Sequence, residues 1–75
     1  MDYRYMDKYK KLGLNIAYYR KLRGFTQSYL AQLLQIDRTH IGNIELAATG
    51  VSLDVLFRLS DALEIPVHKL FFFDD

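Results

Sequence analysis

The stretch from residue 26 to residue 45 constrains the fold of this chain more than any other part of it. It contains two short segments in which apolar residues recur at helical spacing. Leu30 and Leu34 are four residues apart in the first segment, and Ile41 and Ile44 are three apart in the second. Each pair marks the inward-facing side of a helix. Two helices this short can share one core only by crossing steeply, so the stretch predicts a pair of small, steeply crossed helices.

The second of these helices carries polar side chains on its outward side, namely Arg38, Thr39, His40 and Asn43. An arginine can bond guanine O6 and N7 together, and a threonine can offer its hydroxyl or pack on a thymine methyl group. Asn43 lies one turn beyond Thr39 and faces the same way. The pattern predicts a helix-turn-helix module whose second helix contacts DNA, although for His40 a half-exposed position without a role explains the sequence equally well.

Seventy-five residues form one small domain, near the lower limit for a self-sufficient core. The chain has no cysteine, and its two histidines, His40 and His68, are far apart, so neither a disulfide nor a metal site is expected. No apolar run approaches a membrane span, and the N-terminus has no signal-peptide pattern. We expect a cytoplasmic protein with no cofactor or small-molecule substrate. An enzyme is not expected, because no histidine, carboxylate and nucleophile occur at a converging spacing.

The net charge of +1 conceals an uneven distribution. Residues 1–38 hold eight basic against three acidic residues, a net charge of +5, whereas residues 39–75 hold two against six, a net charge of −4. Such a division indicates one surface for a polyanion and another for a different partner, although ordinary solvated charge would produce the same counts.

The remaining sequence also has the helical period, and we predict an all-α fold. Residues 1–7 lack a periodic pattern and are expected to form an arm before a domain over residues 8–75. The five expected helices cover residues 8–23, 27–34, 38–47, 53–63 and a last segment that begins at Pro66. Gly24 is placed to end helix 1. Thr26, Asp37 and Ser52 are expected to be the N-caps of helices 2, 3 and 4.

The C-terminal segment Leu70–Phe73 is more apolar than a small core requires. A helix cannot bury three successive phenylalanines on one side, so at least one is expected to face outward. Exposed aromatic residues are typical of contact surfaces. We predict a homodimer interface that includes Leu70, Phe72 and Phe73. The alternative is that the tail folds back over helix 1 beside Tyr18 or Tyr19.

With these helices and caps, the sequence resembles a known family. The order of residues is similar to that of the phage-repressor/Cro-like helix-turn-helix regulators of bacteria and phages, over about residues 12 to 72. The residues that carry the resemblance are Ile16, Arg20, Gly24-Phe25-Thr26-Gln27, Leu30-Ala31, Ile41, Ile44-Glu45 and Leu63. Within the family, the segment Asp37–Glu45 looks most like the recognition helix of restriction–modification controller proteins.

The resemblance implies a compact five-helix, lambda-repressor-like domain and roles for particular residues. Arg20 and Glu45 would form a largely buried ion pair between helices 1 and 3. Gln27 would bind a DNA phosphate, together with the backbone of Thr26 at the start of helix 2, where free N–H groups favour an anion.

Two positions depart from the family pattern. Gln35 and Ala47 stand where the family usually has glycine. Glycine takes left-handed backbone angles easily, so these residues either adopt them at a cost of roughly 1 kcal/mol or make a different turn. The loop after helix 3 also lacks the basic residues that are common there, so phosphate contacts from this loop are not expected.

The leading functional hypothesis is a sequence-specific transcriptional regulator that binds a two-fold operator in double-stranded DNA as a homodimer. One alternative is an antitoxin or restriction–modification controller of the same fold. Another is a protein-interaction module with weak DNA binding, which the low net charge and the uncharged loop would fit.

Overall fold

The computed structural model describes residues 1–73, and these contain four α-helices between two short 3-10 helices. The α-helices are α1 (Met6–Leu22), α2 (Gln27–Leu34), α3 (Arg38–Glu45) and α4 (Leu53–Leu63), and the 3-10 helices cover Tyr3–Tyr5 and Val67–Phe71. Within this range no residue lies in a strand. The predicted all-α fold is confirmed. The acidic Asp74 and Asp75 lie outside the described residues.

Two predicted elements differ in detail. The fifth helix is a 3-10 helix, and Pro66 lies just before it with extended backbone angles instead of occupying its first turn. Residues 1–7 are partly helical where an arm was predicted, because Asp2 caps the first 3-10 helix by accepting a hydrogen bond of 2.9 Å from the Arg4 N–H. A three-residue helix is too short to leave a periodic pattern in the sequence.

The core lies where the four α-helices and the last 3-10 helix meet. Helix α3 packs on α1 and α2, and the C-terminal 3-10 helix packs on α1 and α4. The most deeply buried large side chains are Ile16, Leu30, Ile41, Leu59, Leu63 and Leu70. Leu70 has no exposed surface, which corrects its predicted place in a dimer interface: it belongs to the core of its own chain. No helix among residues 1–73 combines the length and the apolar character needed to cross a membrane.

All four α-helices end in the same way. Each is followed by one residue in left-handed conformation, and the residue after it donates its N–H to the carbonyl five positions earlier, at 2.8–3.1 Å. The left-handed residues are Gly24, Gln35, Ala47 and Glu64, with φ of 74° for the glycine and 57° for the others. Gln35 and Ala47 therefore keep the family's turn without its glycine. Helix α3 accordingly ends at Glu45, two residues before its predicted end.

All three predicted N-cap residues occupy the N-cap positions of their helices, but only two of them make the capping hydrogen bond. Thr26 accepts a hydrogen bond of 3.0 Å from the Tyr29 N–H, and Ser52 accepts one of 3.1 Å from the Val55 N–H. Asp37 occupies the N-cap position of α3, but its carboxylate makes no hydrogen bond to the helix.

Helices α1 and α3 touch through their backbones at Gly13, in the middle of α1. A Cβ atom at this position would lie 2.5 Å from the Glu45 carbonyl oxygen and 2.7 Å from that of Ile44. Any side chain here would push α3 away from α1, so Gly13 sets the distance between these helices.

Gln35 offers a test of the left-handed helix end. We expect Gln35→Gly to raise the free energy of unfolding by roughly 0.5–1 kcal/mol, because glycine removes the cost of the positive φ. The exposed Gln32, inside α2, is the matched control: Gln32→Gly should lower the free energy of unfolding by about 1 kcal/mol, because glycine is unfavourable inside a helix. Urea denaturation of the three proteins measures both changes, and a destabilised Gln35→Gly variant would contradict the expectation.

Candidate nucleic-acid interface

The structure brings Arg20 of α1 and Glu45 of α3 together in a two-point ion pair. Arg20 Nε donates to Glu45 Oε2 at 2.7 Å, and Arg20 Nη2 donates to Glu45 Oε1 at 3.0 Å. Each residue is only 8% exposed. Parallel arginine–carboxylate bonds fix both distance and orientation, so the pair holds α3 at a set angle to α1.

Two further hydrogen bonds extend this ion pair. Arg20 Nη1 donates to the Phe25 carbonyl at 2.9 Å, and Gln27 Nε2 donates to Glu45 Oε1 at 2.9 Å. No buried side-chain nitrogen or oxygen in residues 1–73 lacks a hydrogen-bond partner. The charges are therefore buried with their hydrogen bonds made, and the network joins α1, the turn after it, α2 and α3.

Gln27 lies against α3 rather than projecting freely from α2. Its half-buried amide is next to Gly42, where a Cβ atom would come within 3.8 Å of Gln27 Oε1 and 3.9 Å of Nε2. One amide N–H is used by Glu45, which leaves the second N–H of the same nitrogen for another acceptor. Glu45 thereby orients the amide.

The predicted contact residues of α3 share its outward side. Arg38 and Thr39 are exposed at the start of the helix, and His40 and Asn43 are half-buried further along. Their opposite side carries Ile41 and Ile44, which are in the core. The N-terminal turn of α2 lies beside this surface through the Gln27–Glu45 contact, so Thr26 and Gln27 flank the side chains of α3.

Two features of this surface were missed in the sequence. Gly42 adds no side chain to the outward side of α3 and leaves room there for the Gln27 amide, and Leu46 extends that side beyond the end of the helix with 77% of its surface exposed. The helical spacing of Thr39, Asn43 and Leu46 was the available signal.

The aromatic tail lies along α1, with its three phenylalanines in different surroundings. Asn15 Nδ2 donates to the carbonyls of Leu70 and Phe72 at 2.9 and 3.1 Å. Phe73 is half-buried against the core, with Lys11 Nζ 5.9 Å from its ring centre, whereas Phe72 is 74% exposed. The tail thus folds back over α1 near Lys11 and Asn15, whereas the alternative prediction placed it beside Tyr18 or Tyr19, and it still presents Phe72 to solvent.

An apolar groove of about 430 Å³ lies beside this tail. It is lined by Tyr5, Lys8, Tyr9, Leu12, Val51, Leu53, Leu56, Phe71 and Phe73. The tail and α3 are on different sides of α1: Gly13 meets α3, and Asn15, two positions later and so nearly opposite on the helix, holds the tail. The groove lies between these two sides, because its lining residue Tyr9 is one turn before Gly13.

The family assignment agrees with this architecture. A helix-turn-helix family model matches residues 16–70, which include all of α2, α3 and α4. The chain belongs to the helix-turn-helix family and is a DNA-binding transcriptional regulator.

Three individual proteins are similar to this chain in sequence or in structure. The control protein C.SmaI of Serratia marcescens is 35% identical over 69 residues, which cover 92% of this chain and 82% of that protein. The crystal structure of the restriction-modification controller protein C.AhdI from Aeromonas hydrophila matches with a TM-score of 0.84 and 32% identity, covering 87% of this chain and 98% of that one. The fold is also that of NHTF, a hypothetical transcription factor from Neisseria, with a TM-score of 0.83, 24% identity, and coverage of 88% and 76%.

The buried ion pair generates a double-mutant prediction. We expect Arg20→Ala and Glu45→Ala each to lower the free energy of unfolding by about 3–5 kcal/mol, because each leaves one buried charge without its partner. The double variant should recover part of the summed loss. Thermal and urea denaturation measure the cycle, and strictly additive losses would show that the two side chains do not stabilise each other.

Proposed function

We propose that this chain is a controller-type transcriptional regulator that binds a two-fold DNA operator as a homodimer. The observation that carries the proposal is the outward side of α3, where exposed Arg38 and Thr39 project from a helix fixed by the buried Arg20–Glu45 pair. The likeness to two controller proteins, at 35% and 32% identity, supports the controller assignment.

In this proposal some DNA contacts fix the position of the domain on the duplex, and others read the base sequence. The backbone N–H groups at the start of α2 and the second amide N–H of Gln27 bind phosphate oxygens and fix the register of the domain on DNA. Arg38, Thr39 and Asn43 contact base edges in the major groove, and His40 contacts a phosphate at its border. Glu45 binds no DNA; its carboxylate is neutralised by Arg20 and orients Gln27.

Dimerisation supplies the length of operator that one short helix cannot cover. Helices α3 of two copies must lie about one DNA turn, ~34–36 Å, apart. The longest dimension of the chain is 31 Å, so two copies joined through a surface away from α3 can meet this spacing. Phe72 protrudes next to the apolar groove, and an isologous contact would place each Phe72 on the partner's groove.

A protein-interaction module with weak DNA binding is the competing function, since residues 46–50 carry no charge. Selection of bound fragments from a random DNA library, followed by affinity measurements over a range of salt concentrations, separates the two. A regulator enriches a two-fold sequence and loses affinity steeply as salt rises. An interaction module enriches none.

Arg38 is the side chain whose loss should change sequence preference. We expect Arg38→Ala to weaken binding to the selected operator by about 1–3 kcal/mol and to relax preference at one base position per half-site. Gln27→Ala should instead weaken binding to all sequences alike. Lys69→Ala, which removes an exposed positive charge from the C-terminal 3-10 helix, is the charge control. An unchanged base preference in Arg38→Ala would exclude the assigned role of this residue.

Phe72 tests the dimer without disturbing the core. We expect the unmodified protein to sediment as a dimer at tens of micromolar, and Phe72→Ser to sediment as a folded monomer with much weaker operator binding. Substitution of the exposed Phe72 should change stability by no more than about 0.5 kcal/mol, whereas Phe73 is partly in the core and is left intact. Leu33→Ser, on the exposed side of α2, should remain a dimer. A dimeric Phe72→Ser variant would contradict the assigned interface.

A further inference from the structure

Leu46 is the most exposed apolar side chain beside the outward side of α3. It is 77% exposed, and among the large apolar residues of the described chain only Tyr3 is more so. It directly follows α3, which ends at Glu45. A large apolar group at this place meets water in the free protein, so its removal from water on DNA binding would favour the complex.

The position of Leu46 aligns it with residues that face DNA. Thr39, Asn43 and Leu46 follow one another at spacings of four and three, which place them on one side of a helix. Between them Gly42 has no side chain, and its only close neighbour for an added Cβ is the Gln27 amide, at 3.8 Å. At Gly42, α3 itself adds no side chain to its outward side, and the amide of Gln27 lies there instead.

The turn after α3 holds Leu46 in place. Ala47 has a φ of 57°, and the Ala48 N–H donates to the Asn43 carbonyl at 2.8 Å. This closed turn fixes the backbone on both sides of Leu46. Ala47 itself is buried, so Leu46 is held at the surface by a neighbour packed in the core.

We infer that Leu46 is a specificity-determining residue that packs on the C5-methyl group of a thymine in each half-site. The inference rests on the proposed DNA-binding function. Leucine has no hydrogen-bonding group for a base edge or a phosphate, and the thymine methyl is the apolar group that the major groove offers. Leu46 therefore adds a hydrophobic contact at the end of a surface whose other members bind through hydrogen bonds.

Replacement of thymine by deoxyuridine tests this contact, because it removes only the C5-methyl group. An operator selected by the unmodified protein is prepared with each thymine changed in turn. The unmodified protein should bind about fourfold more weakly when the single thymine that Leu46 contacts in one half-site is changed, which is the effect expected for one buried methyl-sized group. Leu46→Ala should bind the original and that substituted operator equally well.

Two variants serve as controls. Leu22→Ala removes a leucine of similar exposure, 66%, near the end of α1, and should keep the full discrimination. Thr39→Ala should still discriminate between thymine and deoxyuridine at the position assigned to Leu46. Thermal denaturation verifies that Leu46→Ala is folded, as expected for a side chain so exposed.

The outcomes separate this inference from the proposed function. If Leu46→Ala retained the thymine preference of the unmodified protein, or weakened binding to all operators alike, the contact would be absent or would be made to the sugar–phosphate backbone, and the inference would be wrong while DNA binding stood. If no operator were enriched at all, the proposed function would fail and the inference with it.

Discussion

The position of α3 depends on one buried charge pair. Arg20 and Glu45 lie on different helices, and their two parallel hydrogen bonds determine how α3 is held against α1. The pair works only with Gly13, whose missing side chain lets the two backbones touch. Gln27 completes it by bonding the same carboxylate from α2. A buried ion pair contributes little net stability because desolvation opposes its attraction. Its value here is geometric, since hydrogen bonds with fixed directions define an angle that apolar packing alone leaves softer.

Repeated helix ends provide the second constraint on a chain of this size. The left-handed residue after each α-helix reverses the chain within a few residues, and Phe25, Ile36 and Ile65, which follow three of these turns, pack on the core. Three of the four positions hold residues other than glycine and so carry a backbone cost. The hydrogen bonds and apolar contacts of the turns offset that cost. Short connections of this kind keep two eight-residue helices in one core, where isolated helices of that length would not form.

The sequence predicted the centre of the fold better than its ends. The bounds of α2 followed from the cap at Thr26 and the apolar spacing, because both signals are local. The burial of Leu70 could not be predicted from local signals. The sequence shows four apolar residues in a row, and only the packing of the tail on α1 and α4 decides which of them is buried. Gly13 carried a signal that was not used, since a glycine inside a helical pattern often marks a close approach. The contact between Gln27 and Glu45 had no sequence signal, because it depends on the crossing of α2 and α3.

The distribution of ion pairs explains how a chain with a net charge of +1 can present a surface suited to DNA. Within residues 1–73, most carboxylates are bonded to basic residues of the same chain: Asp2 to Arg4, Asp7 to Lys11, Glu45 to Arg20, Asp54 to Arg58 and Glu64 to Arg23. Arg38 and the exposed Lys10 and Lys21 form no ion pair with a carboxylate in that range. Since interactions between exposed charges are screened beyond about 8–10 Å, a phosphate group responds to the cations near it rather than to the total. The net charge of the whole chain therefore does not by itself determine how strongly a nearby phosphate group is attracted.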